Sequence, residues 1–171
     1  MAEITKFSLV YDAPEDRIAW DLEDTDGATT RLWLTQRFCR LMITAVLPML
    51  SKPVAEDAPP ERETTLQAWE QAAAMSDFGR TSGVRVTTAT TAGLVGQVQM
   101  APAGSGITFT FTFGQAQEKR VVSASGPAVR QTLAVMYRLH EEAGWPVDLW
   151  PAWVADPAAV AAAVGGEGRL N

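Results

Sequence analysis

The chain has 171 residues, of which 20 are acidic and 14 basic, for a formal net charge of −6. That length suits one domain of roughly 100–200 residues with its own core, and the acidic balance argues against a general binder of nucleic acid or membrane surfaces. A single cysteine and a single histidine exclude an internal disulfide framework and a Cys/His zinc site within the chain.

Lys6 to Tyr11 alternates, with Phe7, Leu9 and Tyr11 on one face, and Asp12 to Asp16 reads as a turn. Arg17 to Glu23 alternates again, with Ile18, Trp20 and Leu22 on one face. Period two with charged residues opposite predicts half-buried antiparallel strands. Asp26-Gly27 signals a hairpin, because a type I′ turn needs positive φ at both central positions. Thr29 to Leu34 is a third strand, Thr35 an N-cap, and Gln36 to Leu50 a helix whose last turn Pro48 should kink or fray.

Residues 51–61 contain three prolines and little apolar content, as a linker does. A helix is predicted over 62–78, with Leu66, Trp69, Ala73 and Met75 as its buried stripe. Val84 to Thr91 is a strand or an extended loop. Leu94 to Met100 is a strand with a bulge expected at Gly96, and Ala101 to Gly106 a turn. Ile107 to Phe113 is the clearest strand: Ile107, Phe109, Phe111 and Phe113 share a face, and three threonines share the other. Glu118 to Ala124 is a further strand. Ser125-Gly-Pro127 opens a long helix that Gly144 closes. The tail, 145–171, holds Trp145, Trp150 and Trp153, then a short Ala/Val helix from Asp156-Pro157.

Two stretches, 5–50 and 94–144, share the order strand-strand-strand-helix. At an offset of 89 residues, Ile18 to Leu22 meets Ile107 to Phe111, and Arg31 to Trp33 meets Arg120 to Val122. This reads as an internal pseudo-repeat. The expected fold is one α+β domain: two such units form a mostly antiparallel sheet packed by two long helices, with the 62–78 helix across the join.

No motif for catalysis, cofactor or phosphate binding occurs, so neither an enzyme nor a cofactor is expected. Seven acidic residues crowd 12–26, but their spacing fails the calcium-loop pattern, and a solvated hairpin is the simpler reading. From Gly27 to Ala55 there is no acid. Arg31, Trp33, Arg37 and Arg40 there form a candidate site for an acidic partner or nucleic acid near a helix start, unless the arginines neutralise the hairpin. The first helix has a second apolar stripe, Ile43, Val46, Leu47 and Leu50, which is either buried under the 62–78 helix or, in the sharper reading, a dimer interface. Trp145, Trp150 and Trp153 either clamp the tail to the domain or contact another protein. The Phe strand and Cys39 read as core. His140 reads as a half-exposed residue near a helix end.

Asp16 to Leu22, continuing to Arg31 to Thr35, resembles small bacterial proteins. The repeated element order is similar to that of whirly and PUR-type single-strand-binding modules, which have four strands per repeat and basic faces. Here there are three strands and an acidic balance. The reading that follows is a non-enzymatic protein-interaction module, scaffold or regulator, acting as a homodimer. The alternative is a single-stranded nucleic-acid binder using the arginine patch. The absence of a signal-like N-terminus, and an apolar run of only ten residues at Leu41 to Leu50, predict a soluble cytoplasmic chain without a membrane partner.

Overall fold

A computed structural model describes residues 4–51, 60–76, 83–87 and 90–166. The elements are β1 (Ile4–Asp12), β2 (Arg17–Asp24), β3 (Thr29–Leu34), α1 (Gln36–Leu50), α2 (Pro60–Ser76), β4 (Thr91–Ala103), β5 (Gly106–Phe113), β6 (Glu118–Ala124), α3 (Gly126–Ala143), α4 (Ala152–Ala155) and α5 (Pro157–Gly166). The fold is α+β, with six strands in the order β1-β2-β3-β4-β5-β6. Each neighbouring pair is antiparallel except β3 and β4, which run parallel from Thr30 opposite Thr91 to Trp33 opposite Leu94. No helix among the described residues is long and apolar enough to cross a membrane.

Local chemistry sets the boundaries. The β2–β3 turn differs from the expected type I′, since only Gly27 has positive φ, at 77°. The Asp24 carboxylate accepts from the Asp26 and Ala28 amides at 3.0 and 2.9 Å, holding a longer loop that ends in a left-handed glycine. Thr35 and Ser125 cap their helices by accepting from Phe38 N–H and Ala128 N–H, each worth about 1 kcal/mol. Gly144, at φ 66°, ends α3, and the Trp145 amide returns to the His140 carbonyl at 2.9 Å. The register of β4 shifts between Val95 and Gln97, the bulge expected at Gly96. β4 then runs to Ala103, beyond the expected turn at 101. Pro102 is tolerated because β3 pairs only with residues 91–94.

The sheet is strongly curled. Trp20 on β2 and Phe111 on β5 are three strand spacings apart, about 14 Å in a flat sheet, yet their ring centroids are 5.3 Å apart. The edge strands β1 and β6 approach each other, and α3 lies against both. Ile18, Trp20, Leu22, Leu32, Ile107, Phe109, Phe111 and Phe113 all face the concave side and are buried. Met42, Ile43 and Val46 of α1 and Leu133 and Met136 of α3 close over them, leaving a void of about 10 Å³.

This packing corrects the dimer reading of α1. Ile43, Val46 and Leu50 are buried in the chain's own core and Leu47 is half-buried, because α1 turns that side onto the concave face of the sheet, where α3 also closes over the Trp20 and Phe109 rings. The side of α1 left outside carries Leu41, Thr44, Ala45 and Pro48.

The orientation of α2 is also corrected. It packs on α3, α4 and α5, and it buries Thr65, Gln67, Ala68, Gln71 and Ala74, while Leu66, Trp69 and Ala73 face outward. The cause is Arg130, which α3 presents to α2. Its guanidinium donates to the Gln67 side chain and to Glu70, both at 2.5 Å. Gln71 donates to the Arg130 carbonyl at 2.9 Å, and Gln131 to the Ala74 carbonyl at 2.8 Å. A buried arginine needs this ring of acceptors, and an apolar stripe in their place would leave its charge unpaired.

The tail is clamped to the domain. Trp145, Trp150 and Trp153 are buried, so the reading of them as contacts for another protein is corrected. Trp145 donates to Asp16 at 2.9 Å and meets Tyr11 edge-on. Trp153 lies under the Arg130 guanidinium at 5.3 Å. His140, expected half-exposed, is fully buried, with the Trp145 and Trp150 rings against it at 5.2 and 5.3 Å. Cys39 is a core residue, and burial pushes its thiol up to about 12.

Candidate interaction surfaces

The arginine patch is divided by the fold. Arg31 and Asp21 stand opposite each other on β3 and β2, joined by hydrogen bonds of 2.7 and 2.8 Å. Asp21 is buried, so the pair is closer to an internal salt bridge than to a free cation. The hydrogen bond from Arg31 raises the strength with which that guanidinium holds its proton. Arg40 makes a bidentate bond to Asp148 of the tail at 2.8 and 3.1 Å, which holds that carboxyl below its ordinary range. Arg37 is exposed. The positive charge expected at one helix start is therefore matched in two separate places, once by the hairpin and once by the tail.

Trp33 finds a different setting. Val10, Ala19, Trp33 and Leu94 stand opposite one another in a single row across β1, β2, β3 and β4. The row lies on the convex face, since the neighbouring positions Leu9, Trp20 and Leu32 take the concave one. Ala19 is its buried floor and Trp33 is half-buried, while Val10 and Leu94 are 46% and 45% exposed. The Arg31 guanidinium lies 5.0 Å over the Trp33 ring. On one side the row is bordered by Asp21 and Arg31, and on the other by Asp12 and Arg17. An apolar strip about 14 Å long within a charged rim has the anatomy of a protein contact. Residues 83–87 cross this face beside it, where Val84 N–H donates to Ser8 Oγ at 3.2 Å.

Val10 and Leu94 carry no signal in sequence that would single them out. Val10 stands between Leu9 and Tyr11 in a strand already given an apolar face. Leu94 meets Trp33 only through the parallel pairing, across 61 positions.

A second outward surface is on α2, where Trp69 is 55% and Leu66 40% exposed. It lies on the helical layer, and the Trp33 row lies on the convex side of the sheet. Asp16 of the acidic hairpin accepts from Trp145, whose ring packs on His140, and the imidazole donates from Nδ1 to the Met136 carbonyl at 2.7 Å. No protein-family model matches the chain, and neither a curated protein nor a solved structure matches it significantly.

Proposed function

We propose that the chain is a non-enzymatic protein-interaction module, a scaffold or regulator that docks a protein partner on the convex face of its sheet and acts as a homodimer. The observation that carries this reading is the row Val10–Ala19–Trp33–Leu94, apolar, partly exposed and rimmed by charge. A half-buried tryptophan held in place by Arg31 is a rigid anchor, and such anchors concentrate binding energy. The rim charges supply orientation rather than affinity.

We also read the two strand-strand-strand-helix units as a pseudo-repeat. Moving β2 (Arg17–Asp24) by the sequence offset of 89 places it on Gly106–Phe113, the bounds of β5. Both units direct their apolar strand faces to the concave side.

The test is photo-crosslinking from position 94 in the native cell, with Leu94 replaced by a photoreactive phenylalanine. A single heavier adduct that disappears on Trp33→Ala is the expected result. Adducts indifferent to Trp33→Ala overturn the reading. The alternative, a single-stranded nucleic-acid binder using Arg31, Trp33, Arg37 and Arg40, has the stacking of Arg31 on Trp33 in its favour. Low-salt binding of mixed oligonucleotides that weakens steeply with salt and is lost in Trp33→Ala would put it in first place.

A further inference from the structure

We propose that α2 is the contact through which two copies of this chain pair, with the helices antiparallel about a two-fold axis near Leu66. This inference rests on the homodimeric part of the reading above and supplies the surface that α1 does not. Arg62, Leu66, Trp69 and Ala73 recur at intervals of four, three and four residues, the spacing of a helix-packing seam. All four are exposed. The opposite side of the helix is fixed to the domain by Gln67, Gln71 and their bonds to Arg130. The seam is therefore presented on a rigid element, and little ordering is needed on association.

Charge selects a second copy as the occupant. In an antiparallel pairing centred on Leu66, Arg62 of each copy falls opposite Glu70 of the other. Arg62 is exposed and the Glu70 side chain is 35% exposed, so the two can meet without loss of the internal Glu70–Arg130 contact. The same register sets each Trp69 beside the other copy's Arg62 and Leu66, where its ring covers one aliphatic chain and faces one guanidinium. A two-fold contact requires one patch to complement itself, and a patch with Leu66 at its centre, Arg62 on one side and Glu70 on the other does so. With two carboxylates, Glu63 and Glu70, beside one arginine, the stripe does not suit a polyanion.

The experiment uses the full chain. Sedimentation equilibrium at micromolar concentration should return twice the chain mass. Trp69→Ala should return a monomer with an unchanged circular-dichroism spectrum, and Arg62→Glu should raise the dissociation constant about tenfold through two lost pairs. Leu66→Cys should form a disulfide-linked dimer under mild oxidation, because a residue on a two-fold axis meets its own copy. Cys39 is buried and does not compete. If Trp69→Ala fails to fold, the cross-link at position 66 decides.

A wild-type monomer overturns the proposal, as does a dimer that survives Trp69→Ala and forms no cross-link at position 66. So does a monomer that uses Trp69 to hold a different protein. None of these results touches the Trp33-dependent cross-link from position 94. Conversely, loss of that cross-link with an intact α2 dimer overturns the partner face alone.

Discussion

Arg130 of α3 and Glu70 of α2 are joined by a 2.5 Å hydrogen bond between groups 60 positions apart, and Arg130 is almost fully buried. Burial lowers the arginine's hold on its proton, and Glu70 opposes that effect. Arg130→Ala would remove one donor to Gln67 and one to Glu70, together with the cation over Trp153. The expected loss is about 1–3 kcal/mol, the usual cost of leaving a buried acceptor such as Gln67 without its donor, since the Glu70 carboxylate is partly exposed and can be solvated. Urea denaturation of the two proteins measures it. Arg130→Met, similar in length and uncharged, should lose less.

His140 makes stability depend on pH. Burial among Trp145 and Trp150 lowers its affinity for a proton, the charge of Arg40 adds to this, and the Met136 carbonyl opposes it. The folded pKa therefore lies below the ordinary 6.5. Between those two values the unfolded chain binds a proton that the folded chain does not, so stability is full above about 6.5 and falls as pH drops toward the folded value. Urea midpoints across that window should decline in the wild type. His140→Gln should flatten the decline.

Ile43 reports on the corrected reading of α1. If Ile43 and Leu47 formed a dimer face, polar replacements would separate subunits and leave the fold intact. With Ile43 fully buried against the sheet and α3, Ile43→Asn is expected to unfold the chain, and Ile43→Ala to cost about 2–5 kcal/mol. Thermal unfolding followed by circular dichroism distinguishes the two outcomes.

Cys39 should be silent in the folded protein. Its thiol is buried and pushed up to about 12, and thiolate is the reactive form. A thiol-specific reagent at neutral pH is expected to modify it only at the rate of unfolding, and to completion in denaturant. Prompt labelling of the native chain would contradict the burial of α1.

The strands were legible because their concave side takes the large apolar residues while their convex side mostly carries charged, hydroxyl or small ones. Period two therefore survives in Arg17 to Glu23 and in the Phe ladder from Ile107. The helix ends were legible for a similar reason, as Thr35, Ser125 and Gly144 act on their own neighbours. What escaped depended on distant partners. The stripe Leu66, Trp69 and Ala73 is a true periodicity, but its direction is decided by Arg130. His140 is buried by tryptophans that follow the helix, and an imidazole carries no mark of that in sequence. Of the arginine patch, the residue types were legible. Their pairing was not, because Asp148 reaches Arg40 across 108 positions.

The parallel ladder between β3 and β4 joins the two meanders through four residue pairs, from Thr30–Thr91 to Trp33–Leu94. Every other ladder links strands joined by a short turn, so each meander pairs close neighbours. The seam has to wait for its two strands to be brought together from opposite sides of α1 and α2, a costlier loop to close. Each three-stranded ribbon is thus expected to pair internally before the two join across this seam. The Trp33 row, which spans that seam through Leu94, is therefore complete only once the two meanders have joined.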